Sequence, residues 1–193
     1  MMPQESSEPS RAAAVMTQAM NWAYEHATTG IPGIGSSSDL AESHLRKCGG
    51  SPEKAIDDLI AWQVGYAGAA GFLTNIGGAI TMPVSVPANL ASVFLIQLRM
   101  ITAIAHLNGY KIDDEHVRTV VFICLTGSMA AKEFGIELGT KLATKAGSKG
   151  LINLTKVVPF VGGLIGGAFD ATTTRAIGEV AKKAFKPLGN DPL

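Results

Sequence analysis

A chain of 193 residues is the length of one domain, and 47% hydrophobic against 17% charged residues excludes a disordered tail protein. Sixteen basic residues balance sixteen acidic ones, which removes the bulk attraction that nucleic-acid binding rests on. Aromatic residues are scarce at 6% while glycine reaches 22, so the core must be built from Ala, Val, Ile and Leu with close backbone approaches, as packed helices allow. The even charge hides an asymmetry: 8 Lys/Arg and 13 Asp/Glu precede Leu138, whereas the remainder holds 8 and 3.

Residues 1–9 are rich in Ser, Glu and Pro and are expected to form a disordered tail; their acidic start does not suit a signal peptide, which needs a basic segment first. A helix follows from Ser10 with Val15, Ala19, Trp22 and Ala23 on one face, and Gly30 ends it. After the loop Ile31-Pro32-Gly33-Ile34-Gly35, a short helix is predicted from Ser38 or Asp39, with Glu42 in a capping box, stopping at Gly49-Gly50. Ser51-Pro52-Glu53 is a strong helix start, continued by Ile56, Leu59, Ile60 and Val64.

Residues 59–98 form a run of 40 without a single charge. Its first part carries five glycines with Gln63, Thr74, Asn75 and Thr81, poor material for an independent span of about 20 apolar residues. Pro83 and Pro87 break the run, and a helix follows to about Leu107, where Asn108-Gly109 stops it. Two readings stay open, a re-entrant hairpin with the prolines at its tip and, preferred, a buried pair of helices. Asp113 or Asp114 caps the next helix, Gly135 ends it, and residues 136–147 form another with Lys141 and Lys145 one turn apart and Lys149 beyond. The last helical segment runs to Phe185, with Gly162, Gly163, Gly166 and Gly167 predicted at a close helix crossing. No period-two stretch supports a sheet.

Cys48 and Cys124 have no zinc or disulfide-framework spacing, and they fit a reducing compartment. His26, His44, His106 and His116 form no HExxH and no i,i+4 pair, so neither a metal nor another cofactor is expected. No phosphate-cradling loop, dinucleotide fingerprint or nucleophile elbow occurs, and no catalytic constellation is found. The stripe Lys141, Lys145, Lys149 is a candidate contact for anionic lipid. Arg99 is the only charge between Asp58 and Lys111. On a helical wheel Asn89, Ser92, Arg99 and His106 fall within about 100° of one another. If this stripe faces inward, the guanidinium needs acceptors, and Asp170 with Thr174 one turn on is the preferred partner; if it faces water, Arg99 is a surface residue.

Four blocks carry a family resemblance: Gly30-Ile31-Pro32-Gly33; Gly71-Phe72-Leu73-Thr74 with Gly77-Gly78 and Ile80-Thr81-Met82-Pro83; Pro87-Ala88-Asn89 through Gln97-Leu98-Arg99-Met100 and Ile104-Ala105-His106 to Gly109-Tyr110; and Val158-Pro159-Phe160-Val161-Gly162-Gly163 to Asp170, Thr174, Ile177 and Gly178. In order and spacing they resemble the EcsC protein family over most of the chain, from about Trp22 to Phe185. Asn89 stands where many relatives have Asp, and the chain is shorter than expected between Gly139 and Gly150. The family takes its name from a protein encoded beside the ATPase and membrane components of a bacterial ABC transporter. The resemblance therefore implies a bacterial helical protein at the cytoplasmic side of a membrane, and it supplies no reaction.

The expectation is an all-α, single-domain bundle of six to eight helices over residues 10–186, with glycine-rich close crossings and a C-terminal tail over 187–193. Its expected role is non-enzymatic binding of a membrane surface or an integral membrane protein, such as a transporter component, in the cytoplasm and peripheral to the inner face of the cell membrane. A homo-oligomer stays open. The alternative is a hydrolase or transferase of a lipid-like substrate, with a polar cluster under the same apolar helices.

Overall fold

The computed structural model describes residues 11–68, 88–126 and 171–188. These form six α-helices and, among the described residues, no strand: α1 Arg11–Thr29, α2 Ser37–Lys47, α3 Pro52–Gly68, α4 Ala88–Leu107, α5 Glu115–Thr126 and α6 Ala171–Ala184. The all-helical bundle expected from composition is what forms.

Helix α1 buries Ala19, Met20, Trp22, Ala23, Tyr24 and Ala27 along one side. It stops at Gly30, whose φ is +90° and whose missing Cβ would lie 3.1 Å from the Ser36 nitrogen, so both conformation and space demand glycine. Helix α2 starts earlier than its sequence suggests. Ser36 is the N-cap, and the reciprocal acid of the capping box is Asp39, while Glu42 makes only an exposed one-turn ion pair with Arg46 at 3.5 Å. The reason is tertiary: Ser37 is fully buried and its hydroxyl donates to the Ala27 carbonyl at 2.7 Å, which pins the first turn of α2 to the end of α1. Helices α3 and α5 begin where Ser51-Pro52 and Asp114 place them. The Asp114 carboxylate accepts the His116 backbone N–H at 2.6 Å.

Helix α4 is the axis of the bundle, packed against all five of the others. Every residue from Met100 to Ala105 is buried, as befits a helix apolar on all sides. This accounts for the described parts of the uncharged run. Leu59, Ile60, Ala91, Phe94, Leu95 and Leu98 lie in one core cluster to which all six helices contribute. Residues 69–87, with the two-proline tip of the alternative hairpin, lie outside the described residues. Among the described residues no helix is long and apolar enough to cross a membrane.

Helix α6 closes the bundle against α3, α4 and α5. Its Gly178 meets Ile60 of α3 so closely that a Cβ would stand 2.8 Å from Ile60 Cγ1. This is one close glycine crossing; the predicted cluster at Gly162, Gly163, Gly166 and Gly167 lies outside the described residues. Beyond α6 the exposed Leu188 donates its backbone N–H to the Asn108 carbonyl at 3.2 Å, and Asn108 Nδ2 donates to the Phe185 carbonyl at 2.6 Å.

Candidate functional site

The loop between α1 and α2 folds back on itself, with the N–H groups of Ile34 and Gly35 both donating to the Ile31 carbonyl at 2.9 Å. That turn leaves the carbonyls of Ile34 and Ser36 facing α4. Arg99 reaches them: Nη2 donates to Ile34 at 2.5 Å and Nε to Ser36 at 3.4 Å. Arg99 is half-buried, and burial pulls its pKa below the ordinary guanidinium value, although a guanidinium stays charged in a protein. Among the described residues no carboxylate forms an ion pair with it. Asp39 helps to hold the charge from a distance, yet its Oδ2 accepts the Ser36 backbone N–H at 2.7 Å and the Ser36 hydroxyl at 2.8 Å. Those bonds hold the Asp39 carboxyl below the usual range.

Beside Arg99 opens a cavity of about 300 Å³ between the loop, α3 and α4, lined by Ile34, Leu40, Trp62, Gln63, Tyr66 and Arg99 among others. Trp62 and Tyr66, one turn apart on α3, stack with ring centroids 5.1 Å apart. The Trp62 ring also meets the edge of His44 at 5.6 Å. Gln63 is 3% exposed and spends its Nε2 on the Ile96 carbonyl at 3.1 Å, which leaves its buried Oε1 without a donor. The cavity thus has a cation and aromatic walls, with the buried Gln63 amide beside them. Among the described residues its lining holds no Ser, Thr, Cys or His.

The other chemistry-bearing groups are committed elsewhere. His44 Nδ1 lies 2.6 Å from Asp58, whose carboxylate also takes the Lys47 ammonium at 2.7 and 2.9 Å. Lys47 and His44 together hold Asp58 below its ordinary pKa. This triad joins α2 to α3. Cys124 is fully buried, and burial pushes its thiol up to about 12, which makes it a core residue and no nucleophile. Among the described residues no group of three His, Cys, Asp or Glu is placed to hold a metal.

Of the expected polar site, the described residues give Arg99 and Thr174 different partners. Arg99 bonds the α1–α2 loop, whereas Thr174 is fully buried in α6 and accepts from Gln97 Nε2 at 2.9 Å. Gln97 and Arg99 are two residues apart on α4 and therefore point about 200° apart, toward different neighbours. His106 is half-buried two turns beyond Arg99 and does not line its cavity. Asn89 lies in the first turn of α4, but its side chain, with Asp170, Lys141, Lys145 and Lys149, lies outside the described residues. Arg99 meets acceptors that no sequence motif announces, two main-chain carbonyls, and its expected pairing with Asp170 lies outside the described residues. The aromatic wall has a sequence signal, Trp62 and Tyr66 at i,i+4 in the uncharged second half of α3. The Gln97 to Thr174 bond had none, because it joins residues far apart in the chain.

No protein-family model matches the chain, and no curated protein or solved structure matches it either.

Proposed function

We propose that the protein is a non-enzymatic helical module that docks on a membrane surface by the exposed end of α3 and the uncharged chain beyond it. The observation that carries this is Trp62: it is 41% exposed, while most apolar side chains around it are buried, and it is stacked on Tyr66 in a helix without charge from Leu59 onward. An amphipathic aromatic ring at the edge of an uncharged segment suits the headgroup zone of a bilayer. The stripe Lys141, Lys145, Lys149 adds attraction to anionic lipid, about 1 kcal/mol per residue near such a surface. The resemblance to the EcsC family supports the same placement, at the cytoplasmic face and accessory to a transporter. The rival reading, a hydrolase or transferase of lipid-like substrates, finds no Ser, Cys or His among the described residues of the cavity lining to support it.

Tryptophan fluorescence tests the proposal, because Trp22 is buried and only Trp62 reports the surface. Phosphatidylcholine vesicles containing phosphatidylglycerol should shift Trp62 emission to the blue. Trp62→Ala should weaken vesicle partitioning about tenfold, the equivalent of roughly 1.4 kcal/mol. Absence of partitioning at low salt in the unaltered chain would overturn the reading, as would binding confined to vesicles that carry a membrane protein.

A further inference from the structure

We propose that the cavity beside Arg99 is a binding site for a small oxyanion, a phosphate or carboxylate group borne on a short apolar body, with the Arg99 guanidinium receiving the charge. Three observations converge on it. First, Arg99 is a half-buried cation with no ion-paired carboxylate among the described residues; its acceptors are the Ile34 and Ser36 carbonyls, and Asp39 is occupied by its own capping bonds. Two carbonyls engage two of the five N–H donors of a guanidinium. The remaining donors and the net charge call for an oxyanion, the partner whose geometry a guanidinium matches best.

Second, Gln63 of α3 lines the same cavity on a side chain almost wholly buried, and its Oε1 has no donor among the described residues. A buried acceptor left unsatisfied is costly. A singly protonated phosphate ester supplies the anionic oxygen that suits Arg99, and its O–H is a donor of the kind the Gln63 amide lacks. Third, the rest of the lining is apolar or aromatic, with Ile34, Leu40, Trp62 and Tyr66 around a volume of about 300 Å³. That is the small end of ligand pockets and suits a headgroup or a short acid, not a whole lipid. The ligand has two sources, a free metabolite or the headgroup of a lipid in the surface on which α3 docks. The site itself does not depend on membrane docking.

The test uses the full chain with Trp22→Phe, so that Trp62 in the cavity wall is the sole tryptophan, excited selectively over the three tyrosines. Hexyl phosphate should quench or shift its emission saturably, and hexanol should not. Arg99→Gln should weaken hexyl phosphate at least tenfold, with Arg99→Lys intermediate. Because loss of the loop contacts in Arg99→Gln endangers folding, the ¹⁵N resonances of the Arg99 side chain are followed in the unaltered chain, where hexyl phosphate should shift them. Phosphatidic acid in phosphatidylcholine vesicles separates the sources: an Arg99-dependent gain over phosphatidylcholine alone assigns the lipid headgroup, and no gain with hexyl phosphate still binding assigns a free ligand. Unshifted Arg99 resonances at saturating hexyl phosphate overturn the site. So does a double-mutant cycle showing that Asp170→Asn and Arg99→Gln destabilise the fold non-additively, because the cation would then already be paired. Failure of vesicle binding alone touches the membrane reading and leaves this one standing.

Discussion

At the scale of single residues, the bundle is sensitive where two helices have no room between them. Gly178 of α6 faces Ile60 of α3, and an added methyl would sit 2.8 Å from Cγ1 and 3.1 Å from both Cδ1 and Cγ2. A β-branched side chain is stiff at χ1, so Ile60 cannot swing clear of three contacts together. Gly178→Ala therefore gains helix propensity of up to about 1 kcal/mol but loses more to overpacking, for a net cost of roughly 1–2 kcal/mol. Chemical denaturation should show it, and Ile60→Val in the same chain should recover part of it; a stabilised Gly178→Ala would mean that α3 and α6 part easily. The two cysteines give a second residue-scale check. Cys124 is fully buried with its thiol raised to about 12, while Cys48 is half-buried at the end of α2. An aromatic disulfide reagent at neutral pH should titrate Cys48 in the folded protein and Cys124 only after denaturant is added; two fast thiols would contradict the packing around α5.

At the scale of elements, helix starts and stops were legible wherever local chemistry decides them. Ser51-Pro52-Glu53, Asp114 and the glycines after α1, α2 and α4 stand at the termini they announce. The start of α2 was not legible, because three serines in a row, Ser36, Ser37 and Ser38, each qualify as a cap and the choice is made by the buried Ser37 bond to Ala27. The joint between α2 and α3 was likewise invisible. It depends on Asp58 meeting both His44 and Lys47 across a turn of fixed geometry. This joint makes a pH prediction. Asp58 has its pKa lowered in the fold from an ordinary 3.8, first by Lys47 and then by His44, and Asp39 and Asp114 are lowered by backbone N–H groups at helix starts. Groups whose folded pKa is depressed stabilise the fold above their unfolded value, and that contribution is lost as pH falls through the folded one. Thermal stability should thus be level from neutrality down to about pH 4 and fall below it. Asp58→Asn should lower the plateau and flatten the acid limb, since the titrating partner is gone. A melting temperature unchanged by Asp58→Asn at neutral pH would show that Lys47 and His44 are merely neighbours of the carboxylate.

At the scale of the whole molecule, composition foretold the class of fold, and the nearly uncharged helix after Pro87 is the one that packs against the five other described helices. Partnerships across the chain were beyond reach, because a period of 3.6 residues says which side chains share a face and nothing about which helix meets that face. Arg99 illustrates this: the wheel groups it with Ser92 and His106, but the carbonyls it meets belong to a loop more than sixty residues away. The same holds for the way the chain closes. Asn108 follows the last turn of α4, where sequence assigns it only the role of a helix stop, yet it is 7% exposed and ties that end to the last described segment. Its Nδ2 donates to the Phe185 carbonyl at 2.6 Å and its own carbonyl accepts the Leu188 N–H at 3.2 Å, while Tyr110 meets Phe185 edge to face at 5.2 Å. Asn108→Ala keeps the main-chain bond and removes the side-chain donor, leaving a buried Phe185 carbonyl unsatisfied. The cost should be about 1–3 kcal/mol. Because α6 also rests on α3, α4 and α5, the loss should appear in global denaturation and not only as fraying of the last helix. Hydrogen exchange distinguishes the two: the clasp reading requires faster exchange at amides of α4 as well as α6 in Asn108→Ala, whereas acceleration confined to α6 would make the clasp a local cap on a terminal helix.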